Sequence, residues 1–177
     1  MQTQSVARAP NATALQGAAQ AAQYLTFVLG GEVFAIGILT IKEIIEYNGV
    51  TDVPMMPPHL RGIINLRGSV VPVIDLSVRF GRSASPVTKR TCIVITEIQL
   101  GSERQDVGLV VDAVNAVVDI AESDIEPPPA FGAHIRADFI AGMGKIDGRF
   151  IILLSANQLL ATEELDLLAG REQGTHS

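Results

Sequence analysis

The sequence predicts an all-β fold, a sandwich or a barrel, on three observations. Between residues 23 and about 155 the apolar residues come in short runs of Val, Ile, Leu and Phe. Gly, Pro, Asn and Asp break those runs at intervals that suit strands. Gly30-Gly31 and Asp147-Gly148 stand between such runs, and both pairs accept the positive φ that a two-residue hairpin turn requires. The 177 residues, 47% hydrophobic and 5% aromatic, suit one domain or two small barrels around a shared core, and are too few for a multidomain enzyme.

Residues 1–22 are rich in Ala, Gln, Ser and Thr and hold few large apolar side chains, so a disordered tail is expected there. Tyr24 to Leu29 and Glu32 to Ile36 then form a first hairpin about Gly30-Gly31. Ile41, Ile44 and Ile45 fit a helical stripe, but the β-branched content of 41–47 and the Asn48-Gly49 stop favour a strand. Pro54, Pro57 and Pro58 make the next stretch a connection, since each removes a donor and fixes φ. Arg61 to Arg67 and Val70 to Leu76 read as strands about a Gly68-Ser69 corner, with Pro72 marking an edge or a bulge.

Residues 81–89, with Ser83, Ser85 and Pro86, look like a boundary between two halves. Beyond it, strands are expected at 91–98, 107–113 and 116–120, then, after the break at Pro127 to Pro129, at 139–146 and 149–154. Leu159, Leu160, Leu165 and Leu168 give residues 156–168 an amphipathic closing helix, followed by a second tail over 169–177. The predicted organisation is one domain over 23–168, with subdomains at about 23–82 and about 87–155.

Thirteen Lys and Arg against 19 Asp and Glu leave a net charge of −6, which argues against a nucleic-acid or anionic-membrane binder. Mean hydropathy is +0.32, but runs such as Phe150 to Leu154 are far too short to span a bilayer. Gln16, Gln20 and Gln23 interrupt the only stretch resembling a signal peptide, so a cytoplasmic protein is expected. The single Cys92 excludes an internal disulfide framework and reads as a small buried hydrophobe.

His59, His134 and His176 are too dispersed for a metal site, and Asp119, Glu122, Asp124 and Glu126 lack EF-hand order and read as a solvated acidic loop. Gly142-Met143-Gly144-Lys145 lacks P-loop spacing and reads as a bulge or as backbone crowding. No catalytic residue, metal or cofactor is therefore expected. A hydrolase or ligand-binding barrel would need Cys92, Asp75 or His59 to converge in one pocket.

The segment that stands out is Gly62-Ile63-Ile64-Asn65-Leu66-Arg67-Gly68, followed by Pro72-Val73-Ile74-Asp75-Leu76. Strand alternation sets Ile64 and Leu66 on one face and Ile63, Asn65 and Arg67 on the other. The Arg67 guanidinium is then either open to a docking partner or ion-paired at the strand end.

These two motifs resemble those of the CheW family, the coupling proteins of bacterial chemotaxis. Phe34-Ala35-Ile36, Ile41 to Ile44, Phe80-Gly81, Val107 to Asp112, Phe139 to Gly144 and Ile146 to Arg149 also follow the family's order, so the resemblance covers about 23–168. It implies an all-β fold of two SH3-like five-stranded barrels with a groove between them and a short C-terminal helix. It implies no catalysis, and as partners the cytoplasmic tips of methyl-accepting chemotaxis proteins and the CheW-like regulatory domain of the histidine kinase CheA. A different chemosensory array, serving twitching motility or biofilm signalling, is the alternative setting. Carried over by position, the residues that meet receptor or kinase are Ile41, Glu43, Gly62, Asn65, Arg67 and Gly68. Gly37 and Ser155 depart from the family's usual polar or acidic residues, and Arg67 either pairs with Glu43 on a neighbouring strand or bonds a carbonyl or carboxylate of a partner.

Overall fold

The computed structural model describes residues 21–127 and 139–159; residues 1–20 of the expected tail over 1–22, the closing helix beyond Leu159 and the second tail lie outside them, and Ala22 already belongs to the first strand. Strands β1 (Ala22–Leu29) and β2 (Glu32–Gly37) form the first hairpin, and Gly30 and Gly31 take φ of 57° and 82°. Two positive φ values in succession make a turn whose twist matches that of the strands it joins. A 3-10 turn, Ile38–Thr40, leads into β3 (Ile41–Glu46), so the ambiguous isoleucine-rich segment is a strand. The hairpin of β4 (Leu60–Leu66) and β5 (Ser69–Asp75) follows, and Asp75 caps a single turn of helix, α1 (Leu76–Arg79). Next come β6 (Cys92–Leu100), β7 (Glu103–Val111) and β8 (Ala113–Ile120). A 3-10 turn at Glu122–Asp124, β9 (Ile125–Glu126), β10 (Ile140–Ile146), β11 (Arg149–Leu154) and the helical turn α2 (Ala156–Leu159) complete the described chain.

The strands make two sheets, in the orders β3-β6-β7-β5-β4 and β9-β10-β11-β2-β1-β8. Their membership overturns the division expected near 81–89. The N-terminal hairpin β1–β2 joins the sheet built from residues 113–154, while β3 to β7 form the other sheet from 41–111 alone. Two non-local contacts decide this: β11 runs parallel to β2, pairing Ile152 with Phe34, and β1 runs antiparallel to β8, pairing Tyr24 with Val118. Residues 81–89 form a surface segment within the first sheet's own chain.

One topology is used twice. The hairpin β4–β5, the parallel pair β5–β7, the hairpin β7–β6 and the outer pair β6–β3 repeat as β10–β11, β11–β2, β2–β1 and β1–β8. Even the irregularities coincide. Bulges fall before Gly62 and before Gly142, and again between Ile41 and Glu43 and opposite Thr26/Phe27 in β8. The bulge and crowding expected at Gly142 are present, since a Cβ there would lie 2.7 Å from Ile125 Cγ2.

The inner strands of each sheet are buried on both faces, while the outer strands β3 and β8 stay largely exposed. One face of each sheet enters a common core containing Leu25, Phe27, Phe34 and Leu154 from one sheet and Ile74, Val94, Leu109 and Val111 from the other. The opposite faces close over separate clusters, Val71, Val73, Ile93, Ile95 and Val110 in the first and Ala35, Ile120 and Leu153 in the second. Strands covered on both sides read as continuous apolar runs, which accounts for the positive mean hydropathy. The space between the sheets is thus packed with side chains, and the concavities described below lie on individual sheets.

Pro72 lies in β5, an interior strand between β7 and β4, and not at an edge or bulge. Ile63, its antiparallel partner, exchanges both backbone bonds with Thr51 at 2.8 and 2.9 Å, so the pair is not hydrogen-bonded and the Pro72 nitrogen faces β7. Pairing with β7 begins only at Val73, so no ladder bond is lost.

Candidate partner-binding site at the Arg67 turn

The β4–β5 hairpin pairs Leu66 with Ser69, which makes Arg67-Gly68 its two-residue turn, one position earlier than the corner expected from sequence. Arg67 and Gly68 have φ of 53° and 88°. Arg67 is therefore not part of the strand alternation. A left-handed conformation costs a non-glycine residue about 1–2 kcal/mol. Asn65 offsets part of this cost, because its Oδ1 accepts the Gly68 N–H at 2.9 Å and ties the turn to the end of β4.

From this turn the guanidinium reaches Glu43 on β3, donating from Nη1 and Nη2 to the two carboxylate oxygens at 2.5 and 2.8 Å. Of the two alternatives for Arg67, the Glu43 pairing is the one present, though β3 and β4 are not hydrogen-bonded neighbours but the two outer strands of the first sheet. The bidentate bond, together with the Thr51–Ile63 bridge, links those edges. Arg67 is 71% exposed and Glu43 28%. The Arg67 hydrogen bond holds the Glu43 carboxyl below the usual carboxylate range; burial acts in the opposite sense, and the charges of Arg67 and Lys42 reinforce the lowering.

Beside this seam lies a groove of about 460 Å³ lined by Ile45, Val50, Ile63, Ile64, Asn65 and Ile93 among others. On the second sheet a groove of about 750 Å³ is floored by Val33, Met143, Ile152 and the exposed Phe150.

Glu43, Asn65, Arg67 and Gly68 thus come together, while Ile41 and Gly62 do other work. The Ile41 side chain is half-buried against the common core. Gly62 has φ of 154° beneath the Val50-Thr51 backbone, where a Cβ would meet Thr51 O at 2.4 Å and Val50 Cγ2 at 2.8 Å. Its absence of a side chain is a packing requirement.

Sequence reasoning missed a buried network around Asp75. One oxygen of the fully buried carboxylate accepts the N–H groups of Ser77 and Val78, and the other accepts Arg61 Nη1 at 2.5 Å and the Ser85 N–H at 3.1 Å. The signal was the N-cap position, Asp75 immediately before Leu76-Ser77-Val78. Arg61 also lies over the Tyr47 ring, 5.3 Å from its centroid.

Asp75 is therefore committed to structure. Burial, with Glu46 beside it, pushes the Cys92 thiol up, away from the thiolate a nucleophile needs. Burial lowers the pKa of His59, assisted by the charge of Arg79, and the His59 carbonyl accepts the Asp75 N–H. Gly37 precedes the 3-10 turn with open space about its Cα, and Ser155 caps α2 by accepting the Gln158 N–H, so both departures fit their places.

A family model described as the CheW-like domain matches residues 23–164. The chain belongs to the CheW family. The "Chemotaxis protein CheW" of Klebsiella aerogenes is 33% identical over 154 residues, covering 87% of this chain and 90% of that protein. That of Bacillus subtilis is 34% identical over 140 residues, covering 78% and 86%. Among solved structures, the scaffolding protein TtCheW of Thermoanaerobacter tengcongensis superposes with a TM-score of 0.72 at 37% identity, covering 81% of this chain and 90% of its own. CheW is a family of chemotaxis scaffolds, and the two sheets described above have its fold, with five strands in one sheet and, because the short β9 adds to β10, six in the other where five were expected.

Proposed function

We propose that this chain is a non-catalytic adaptor that couples methyl-accepting chemoreceptors to the histidine kinase CheA. It does so as a cytoplasmic protein recruited to membrane-associated receptor arrays. The observation that carries the reading is the Arg67 turn. A long cationic side chain occupies a left-handed turn position that Asn, Asp or Gly fills at lower cost, and it stays 71% exposed while paired to Glu43. Strain retained at an exposed charged residue favours a role in recognition over one in folding. The neighbouring Val70 and Ile44 are exposed apolar side chains, the mixture found in protein interfaces. On this reading Glu43, Asn65, Arg67 and Gly68 form the contact region for receptor tip or kinase domain, with Ile41 and Gly62 supporting it from below. No described helix is long and apolar enough to cross a membrane; in the proposed function, recruitment to the array runs through the receptor and kinase.

The test is reconstitution of receptor, kinase and this protein with kinase autophosphorylation as readout. Arg67→Glu places two carboxylates together at the seam and is expected to abolish receptor-dependent stimulation at wild-type protein levels and fold. Full stimulation by the folded variant would refute the assignment.

A further inference from the structure

Turns of the same type close equivalent hairpins in the two sheets, yet they are held differently. Arg67-Gly68 joins β4 to β5 with φ of 53° and 88°, and Asp147-Gly148 joins β10 to β11 with φ of 51° and 80°. Aspartate enters the left-handed region readily because its short side chain can bond the local backbone, whereas arginine has no such means. Two residues before the turn the sheets also differ. The first has Asn65, whose Oδ1 accepts the Gly68 N–H at 2.9 Å, and the second has Lys145, which carries no acceptor.

The outer strands differ in the same sense. Glu43 pairs with Ile95 just after the β3 bulge, and the residue in the corresponding register of β8 is Ala116, opposite Thr26. Asparagine, arginine and glutamate therefore occur together in one sheet and are all replaced in its structural counterpart. Their geometry forms a chain of dependence, in which the Asn65 amide fixes Gly68, the fixed turn sets the direction of the Arg67 Cα–Cβ bond, and that direction delivers two guanidinium nitrogens to one carboxylate.

We propose that Asn65 is a positioning residue. Its carboxamide locks the Arg67-Gly68 turn, and through it the guanidinium on Glu43, in the arrangement a partner meets. The partner-facing part of this inference rests on the functional reading above.

Three substitutions in the full chain test it. Asn65→Ala removes the acceptor, Asn65→Gln moves the amide one methylene beyond the Gly68 N–H, and Asn65→Asp keeps an acceptor in place. The direct readout is the Glu43 carboxyl, followed by carbon NMR against pH. Its folded-state pKa is depressed, so the pairing is present above the ordinary glutamate value of about 4.3 and is lost as pH falls through the folded value. With Asn65→Ala or Asn65→Gln the Glu43 titration is expected to move up toward the ordinary value, and with Asn65→Asp to stay low. Affinity for kinase or receptor is expected to fall about tenfold in the first two variants and to survive in the third. An unchanged Glu43 titration in folded Asn65→Ala and Asn65→Gln would overturn the proposal. A shifted titration with unchanged affinity would uphold the positioning role and refute the functional reading of Arg67.

Discussion

Gly62 and Gly68 bracket the signature motif and meet different demands. A methyl group at Gly62 would collide with the Thr51 carbonyl at 2.4 Å and force apart the bridge that joins Thr51 to Ile63. A methyl at Gly68 finds open space and pays only for its left-handed backbone. Gly62→Ala is expected to cost about 2–3 kcal/mol in urea unfolding and Gly68→Ala about 1 kcal/mol. Equal losses would show that backbone conformation, and not the close approach, is what both positions require. The motif was legible as glycines flanking an arginine. The direction of Arg67 was not, because moving a hairpin turn by one residue redirects every side chain in it.

Among the elements, the α1 turn depends most on one residue. Asp75 caps it, binds Ser85 and so anchors the segment after α1, and neutralises Arg61, which is largely buried. Asp75→Ala removes the cap and leaves Arg61 without its carboxylate, and is expected to destabilise the protein by about 3–5 kcal/mol. Asp75→Asn keeps a capping acceptor and should cost less; guanidinium denaturation midpoints of the two variants give the comparison. A smaller loss for Ala than for Asn would exclude the capping account. The strands of the chain were readable element by element, and β1, β2, β3 and β11 lie where apolar runs and turn residues placed them. Pro72 was misassigned because its tolerance depends on where the partner strand β7 begins to pair, which nothing within β5 records.

At the scale of the entire fold, the two sheets depend on one core. Phe27, Phe34, Phe80 and Phe139 form a row with ring centroids 6.2, 5.6 and 6.2 Å apart, and Phe80, just beyond α1, carries the first sheet's chain into the aromatic contacts of the second. Phe80→Ala is expected to cost about 3–5 kcal/mol. The loss should appear in a single transition, seen alike by a probe in each sheet during thermal unfolding. Two separated transitions would mean that the sheets stand independently, against the shared packing.

Local pattern alone established the all-β class, the hairpin turns at Gly30-Gly31 and Asp147-Gly148, and the motifs that mark a CheW relative. Each of these rests on residues adjacent in the chain: alternating or continuous apolar runs, and positions that tolerate positive φ. Sheet membership, the filled space between the sheets and the pairing of Arg67 with Glu43 required the folded molecule. Residues 22–37 complete a sheet whose other strands begin at residue 113, and Glu43 meets Arg67 only because two outer strands are brought face to face. Such contacts join segments by shape and burial across long separations, so the sequence around either partner carries no local trace of the other.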